Sequence, residues 1–195
     1  MPVTVIAGKG IAGFNPKQLT EALHININVV ARYALETIPI IGRALEAVER
    51  VVRQMPDEKL GWTMPNRARP MREFTYHIFT VVQNTIEERS SEITSTRSGI
   101  KANTFTSFQD IAEYGRSVIE QYRVWAKKQD AATLPGQPPD GADTESRAER
   151  LDLLAGHTIQ HLRQLYAVLE SFGITPANRI PDGEWPPEYV LANLS

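Results

Sequence analysis

Apolar residues recur every three to four positions over most of the chain, which is the period of amphipathic helices. The pattern predicts four long helices, at residues 24–54, 70–88, 107–129 and 147–172. Pro39 lies inside the first and predicts a kink or a break there. Ser107 and Asp110 have capping-box spacing at the start of the third, and Gly173 follows the fourth as a terminating residue. The predicted fold class is all-α, an up-and-down or crossover four-helix bundle.

The two ends of the chain differ from this helical middle. Residues 3–14 predict two short strands around the turn Gly8-Lys9-Gly10. Asn15 and Pro16 then predict the start of a short helix. The expected organisation is a small N-terminal β-hairpin appendage with that helix at residues 1–23, the four-helix bundle at 24–173, and a Pro-rich tail at 174–195. We expect the tail, which carries Trp185 and Tyr189, to pack along the bundle.

Composition excludes several classes of function. The 195 residues carry a net charge of −2, so the overall charge gives no attraction to nucleic acid or anionic membranes. The Arg-containing stretch 66–72 is expected to be solvated surface. No apolar run is long enough to span a bilayer. The complete absence of cysteine excludes disulfides, cysteine-ligated metals and a cysteine nucleophile, and it fits a cytoplasmic protein.

Gly8, Gly10 and Gly13 match the GxGxxG fingerprint of dinucleotide-binding folds. In that motif the helix opens within the glycines and points its N-terminus at the pyrophosphate. Here the predicted helix begins only after Asn15, and no second strand of a βαβ unit follows. We therefore do not expect nucleotide binding.

Three of the four histidines predict a metal site. His157 and His161 are four residues apart, so they project from one face of the fourth helix, which also carries Leu154 and Leu165. His77 lies among apolar residues on the inner face of the second helix. Three imidazoles would leave a fourth coordination position for water or substrate, as in catalytic zinc sites. An HxxxH pair by itself also occurs in protein cores, where both histidines are hydrogen-bonded, and on solvated helix faces. The fourth histidine, His24, is expected to be an ordinary helix residue.

The residues around the histidines narrow the kind of metal site. Ferritin-like di-iron bundles need Glu three residues before His, whereas the positions three residues before His77, His157 and His161 hold Phe, Leu and Thr. The site is therefore expected to hold one divalent ion. Nitrogen ligands suit Zn, Ni, Fe or Co, with Zn or Ni expected first.

Three segments resemble a known family in order and spacing. Residues 55–62 (MPDEKLGW) and 72–78 (REFTYHI) are similar to the loop and second helix of the DinB-like superfamily, named after damage-inducible protein DinB, and residues 154–165 (LAGHTIQHLRQL) are similar to its fourth helix. The resemblance spans roughly residues 24–173. It implies a four-helix bundle with a three-histidine metal site, which maps onto His77, His157 and His161.

The same resemblance implies a range of functions. Characterised relatives include metal-dependent transferases and isomerases that use low-molecular-weight thiols such as mycothiol, bacillithiol or glutathione. For this chain we expect a metal-dependent enzyme of that kind, acting on a small molecule, with pocket walls among Trp62, Tyr76, Tyr114 and Trp125. Two alternatives stay open: a thiol-free metal-dependent hydrolase or isomerase, and a non-catalytic binding or stress module that metal stabilises.

The N-terminal segment has a weaker resemblance of its own. Residues 2–5 (PVTV) and 13–19 (GFNPKQL) are similar to the closing strands and helix of a glutaredoxin fold. The Cys-x-x-Cys element of that fold is absent, so no redox activity is implied. Since a two-stranded hairpin is not stable by itself, the segment is expected to serve packing or dimerisation, and a homodimer is the expected assembly.

Overall fold

Four long helices build the fold in the computed structural model of the chain. They are α1 (Ala34–Gln54), α2 (Met71–Ile86), α3 (Phe108–Ala126) and α4 (Arg147–Ser171). The structure describes residues 3–6, 9–12, 34–65, 68–87, 102–129 and 147–190. Helix α1 packs along α3 and α4, α2 packs along α3, and α2 meets α4 over a smaller interface. The predicted four-helix architecture is confirmed. None of these helices is long and apolar enough to cross a bilayer.

Two short strands precede the helices. Strand β1 (Val3–Ile6) pairs antiparallel with β2 (Lys9–Ala12), so that Val3 lies opposite Ala12 and Ile6 opposite Lys9. Lys9 therefore belongs to the second strand and not to the turn predicted around it. The predicted short helix, His24 and the first ten residues of the predicted first helix lie outside the described residues.

Helix α1 continues through Pro39, so the predicted break does not occur. Pro39 is exposed in the second turn of the described helix, where the lost hydrogen bond affects only the first turn. The opposite face follows the predicted spacing and is buried at Ile41, Leu45, Val48 and Val52. This stripe gives α1 its contacts with both α3 and α4.

Helix α4 is the central element of the bundle. The predicted inward residues are all buried, namely Leu151, Leu154, Thr158, His161, Leu165, Val168 and Leu169. The helix also buries Ala155, Ile159, Leu162 and Tyr166, which widens the apolar stripe beyond one face. A helix that is apolar on several sides has neighbours on several sides, and α4 contacts α1, α2 and the C-terminal tail.

The predicted helix ends are confirmed by their backbone hydrogen bonds. Gly173 has a φ of 77°, and its N–H donates to Glu170 O at 2.9 Å while the Ile174 N–H donates to Leu169 O at 3.1 Å. This pair of bonds is the Schellman motif, and the left-handed backbone explains the glycine. At the start of α3, Ser107 and Asp110 form both bonds of a capping box.

The tail packs along the bundle as predicted, over residues 174–190. Its apolar residues Ile180, Trp185 and Tyr189 are buried. The Tyr166 hydroxyl accepts a hydrogen bond from the Ile180 N–H at 3.1 Å, and Arg163 of α4 pairs with Asp182 at 2.9 Å. These contacts hold the tail against α4.

Candidate metal centre

Helix α4 places two imidazoles side by side, with their rings edge to face. His157 and His161 are one helical turn apart, and their ring centroids lie 4.2 Å from each other. His161 is buried and His157 is half-buried. The side-chain geometry of a helix brings residues four apart onto the same face, so this half of the predicted site follows directly from the sequence spacing.

Helix α2 contributes the third imidazole across the interface with α4. The His77 ring centroid lies 5.3 Å from that of His157 and 5.9 Å from that of His161. The three side chains offer ligand nitrogens that all lie within 4.8 Å of one another. Zinc and similar ions bind imidazole nitrogens at about 2.0–2.1 Å. The structure therefore brings together all three predicted ligands, in a cluster of the size that one ion needs.

The environment of the cluster keeps two of the imidazoles, those of His77 and His157, neutral. Burial lowers the pKa of His77 to about 3, and the charges of His157 and Arg69 add to that effect. Burial also lowers the pKa of His157 to about 4, again with a contribution from Arg69. A neutral imidazole keeps a lone pair on one ring nitrogen and is the form that binds metal ions.

His157 has a buried nitrogen that lacks a partner. Its Nδ1 makes no hydrogen bond within the part of the chain that the structure describes. A buried polar atom left unpaired costs about 1–3 kcal/mol, so three imidazoles packed together need a shared ligand to be stable. A divalent ion fits this donor set because each nitrogen that faces the cluster would then have a partner.

Gln164 orients His161. The Nδ1 of His161 lies 2.8 Å from Oε1 of Gln164, one turn further along α4. Because an amide oxygen only accepts, Nδ1 carries the proton and Nε2 keeps the lone pair. Metal-ligating histidines commonly have such an outer partner. Sequence reasoning missed Gln164, although its i, i+3 spacing from His161 was available as a signal.

The aromatic residues expected to form pocket walls have other neighbours. Tyr76 and Tyr114 pack with each other at 5.1 Å between ring centroids. Trp125 packs against a core tyrosine, and Trp62 packs against Phe172, the residue directly after α4. In the described ranges none of the four makes a ring contact with the three histidines. The aromatic that does is Phe74, whose ring meets His161 edge-on at 4.9 Å.

The arginine stretch before α2 departs from its expected solvated state. Arg69 and Arg72 are both half-buried, and the Nε of Arg72 is fully buried. Leu60 and Trp62 lie against the start of α2, because the Met71 N–H donates to Trp62 O at 2.8 Å and the Arg72 N–H donates to Leu60 O at 3.0 Å. These bonds satisfy amide groups that have no partner within the helix itself, and they hold Arg69 beside the bundle.

The fold and the cluster together define a class: a four-helix bundle with a three-histidine group between two of its helices. The chain belongs to the DinB superfamily, whose family model matches residues 41–165. The match includes all three histidines and Gln164. Neither the search of curated proteins nor the search of solved structures finds a match.

Proposed function

We propose that the protein is a metal-dependent enzyme, a transferase or isomerase that uses a low-molecular-weight thiol at a divalent ion held by His77, His157 and His161. The observation that carries the proposal is the convergence of three imidazoles whose ligand nitrogens lie within 4.8 Å of one another. Zn or Ni suits these nitrogen donors best, with Fe or Co as alternatives.

The burial of the cluster favours a reactive site over a purely structural one. His77 and His157 are half-buried while His161 is buried, so two of the three imidazoles keep some contact with solvent. Three protein ligands leave a coordination position for another molecule, whereas structural zinc sites have four protein ligands. A small-molecule substrate fits this geometry.

The chain's own residues have defined tasks in this proposal. The three imidazoles hold the ion, Gln164 fixes the tautomer of His161, and Phe74 excludes water from one side of it. A divalent ion at this place would lower the pKa of a bound thiol and so supply thiolate at neutral pH. Because the protein contains no cysteine, that thiol has to come from a separate molecule.

Metal content tests the first part of the proposal. Protein purified without an affinity tag should contain close to one equivalent of a divalent metal by mass spectrometry, and His161→Ala should contain far less. His24→Ala is the matched control, because it removes the one histidine outside the cluster, and it should keep its metal. Equal metal content in wild type and His161→Ala would show that the three histidines do not form the metal site.

Turnover tests the second part. A panel of small electrophiles should react only when glutathione, bacillithiol or mycothiol is present, and His161→Ala should be inactive. Turnover that does not need a thiol would instead support a hydrolase with water as the reactant. If chelation lowers the melting temperature but no panel member reacts, the metal stabilises a binding or stress module that is not an enzyme.

The proposal also covers assembly and location. We infer a homodimer in the cytoplasm, with the appendage at residues 1–23 in the packing between subunits, because a two-stranded hairpin needs a further surface for stability. Light scattering coupled to gel filtration should give twice the mass of the chain for the full protein. A variant that lacks residues 1–23 should give the mass of a monomer.

A further inference from the structure

Phe74 is fully buried where α2 meets α4. It lies at the start of α2, where its N–H donates to Pro70 O at 2.9 Å. Its ring lies against the imidazole of His161 on α4, with 4.9 Å between the ring centroids and 79° between the ring planes. Aromatic rings attract each other in this edge-to-face arrangement. Helix α2 therefore contributes to the candidate metal centre through Phe74 as well as through His77.

Two side chains from different helices hold the His161 imidazole. Gln164 of α4 accepts a hydrogen bond from Nδ1 at 2.8 Å, which determines the tautomer. A hydrogen bond at one ring atom still allows the imidazole to tilt about that atom, whereas a second ring packed closely against it opposes the tilt. The packing of Phe74 therefore fixes an orientation that Gln164 alone does not fix.

The start of α2 gives Phe74 a rigid position. The Met71 N–H donates to Trp62 O at 2.8 Å and so ties the helix start to the preceding loop. Phe74 and His77 are three residues apart, which places them on one face of the helix. The His77 ring centroid lies 5.9 Å from that of His161, so both side chains meet the same imidazole of α4.

The three imidazoles differ in their support from residues outside the ligand set. In the described part of the chain, the ring contacts of His77 and His157 are with the other imidazoles of the cluster. His161 has in addition the ring of Phe74 and the amide oxygen of Gln164 against it. His161 is therefore the imidazole whose orientation the protein controls most completely.

We propose that Phe74 is a positioning residue of the metal centre, which holds the imidazole of His161 in its ligating orientation before an ion binds. The inference rests on the proposed metal centre and adds to it a residue that is not a ligand. Its physical basis is pre-organisation, because a side chain that is already fixed loses less conformational freedom on binding. Phe74 contributes to metal affinity in this way without contacting the ion.

Zinc affinity tests this role, measured by competition with a chromophoric chelator. Phe74→Leu keeps the position apolar but removes the ring, and we expect affinity to fall about two- to tenfold, the usual effect of having to immobilise one side chain on binding. Phe74→Met also lacks the ring and should show a similar loss. Phe79→Leu is the matched control, since Phe79 is fully buried in the same helix but packs against Tyr114 of α3. It should bind zinc like wild type.

Protein loaded with Co²⁺ supplies a readout that a loss of stability does not change. The visible absorption bands of Co²⁺ depend on the arrangement of its ligands. Phe74→Leu and Phe74→Met should therefore shift or broaden these bands, whereas Phe79→Leu should keep the wild-type spectrum. Wild-type bands in both Phe74 variants would overturn the inference even if their zinc affinity falls.

The zinc titration separates a failure of this inference from a failure of the metal centre. Equal zinc affinity in wild type and the Phe74 variants overturns the role of Phe74 and leaves the metal centre standing. An equal loss of affinity in Phe79→Leu does the same, because it would trace the effect to the stability of α2. Wild-type protein that takes up neither Zn²⁺ nor Co²⁺ overturns the metal centre and the inference together.

Discussion

At the scale of single residues, the candidate metal centre depends on a hydrogen bond outside the ligand set. The amide of Gln164 holds the proton of His161 on Nδ1 and so turns Nε2 toward the cluster. Without that acceptor the imidazole could carry its proton on either nitrogen, and one of the two tautomers would present an N–H to the ion. The hydrogen bond to Gln164 therefore determines what fraction of the protein carries His161 in the tautomer that can bind the ion.

Gln164→Leu should weaken zinc binding by about 10–100-fold, the usual effect of removing an outer partner from a metal-ligating histidine. Competition with a chromophoric chelator measures this affinity. Gln164→Glu keeps an acceptor at the same position and should retain at least the wild-type affinity. Equal affinities for wild type and Gln164→Leu would show that the hydrogen bond has no part in the site.

Asp110 gives the start of α3 a dependence on pH. Hydrogen bonds from Ser107 and Thr106 lower the pKa of its carboxyl below the ordinary value of 3.8. A group whose pKa is lowered by folding stabilises the protein above the unfolded-state value, and that stabilisation disappears as the pH falls through the folded-state value.

Asp110→Ala should therefore be less stable than wild type at neutral pH, and the difference should shrink as the pH falls below 3.8. Urea unfolding at a series of pH values measures it. Gln121→Ala changes an exposed uncharged residue of the same helix, and its difference from wild type should not vary over the same range. A difference in stability between wild type and Asp110→Ala that is independent of pH would contradict the lowered pKa of the Asp110 carboxyl.

The three histidines show how far sequence reasoning reaches at this scale. The pairing of His157 with His161 follows from helix periodicity, because a separation of four residues fixes a shared face. The approach of His77 could not be derived that way, since periodicity gives a face of each helix but not the rotation of one helix against another; the family resemblance supplied it. The half-burial of Arg69 was not predicted, because it depends on how Leu60 and Trp62 contact the start of α2.

At the scale of elements, the tightest contact between helices lies between α2 and α3. A Cβ atom added to Gly115 of α3 would lie 2.6 Å from Cε1 of Phe79, a buried ring of α2. Real Cβ atoms do not approach other atoms so closely, so the glycine is needed for the spacing of the two helices. Gly42 of α1 is different, because its added Cβ would lie at an ordinary 3.6 Å from Tyr122.

These two glycines form a matched pair of tests. Gly115→Ala should destabilise the protein by about 1–2 kcal/mol, because overpacking costs about 1–3 kcal/mol and the gain in helix propensity returns at most about 1 kcal/mol. Gly42→Ala should be neutral or more stable by up to about 1 kcal/mol. Chemical denaturation measures both, and equal effects at the two positions would contradict the packing argument.

The helices themselves were well predicted because their signals are local. The stripe of α1, the capping box before α3 and the glycine after α4 each depend on residues within one or two turns of one another. Of the two outcomes predicted for Pro39, the break was wrong, because the proline removes one backbone hydrogen bond and α1 continues through it. The kink stays a prediction. The width of the buried surface on α4 was underestimated because it depends on how many neighbours a helix has, and single-helix periodicity does not contain that information.

At the scale of the whole molecule, the helices do not share their contacts evenly. Helix α1 lies against both α3 and α4, and the tail covers α4, whereas α2 has its main contact with α3 and a smaller one with α4. The three-histidine group lies across this smaller contact. An ion bound there would connect two elements whose direct packing contact is small.

That arrangement has a consequence for local opening. If α2 is the helix most easily detached from α4, its backbone amides in Met71–Ile86 should exchange with deuterium faster in metal-free protein than those of Ala34–Gln54. A zinc ion present at about 100 times its dissociation constant should add about 2.7 kcal/mol to the closed state. The resulting slowing of exchange should be largest in α2 and should be absent in His161→Ala. Bound metal would then lengthen the lifetime of the contact between α2 and α4 more than it stabilises the rest of the bundle.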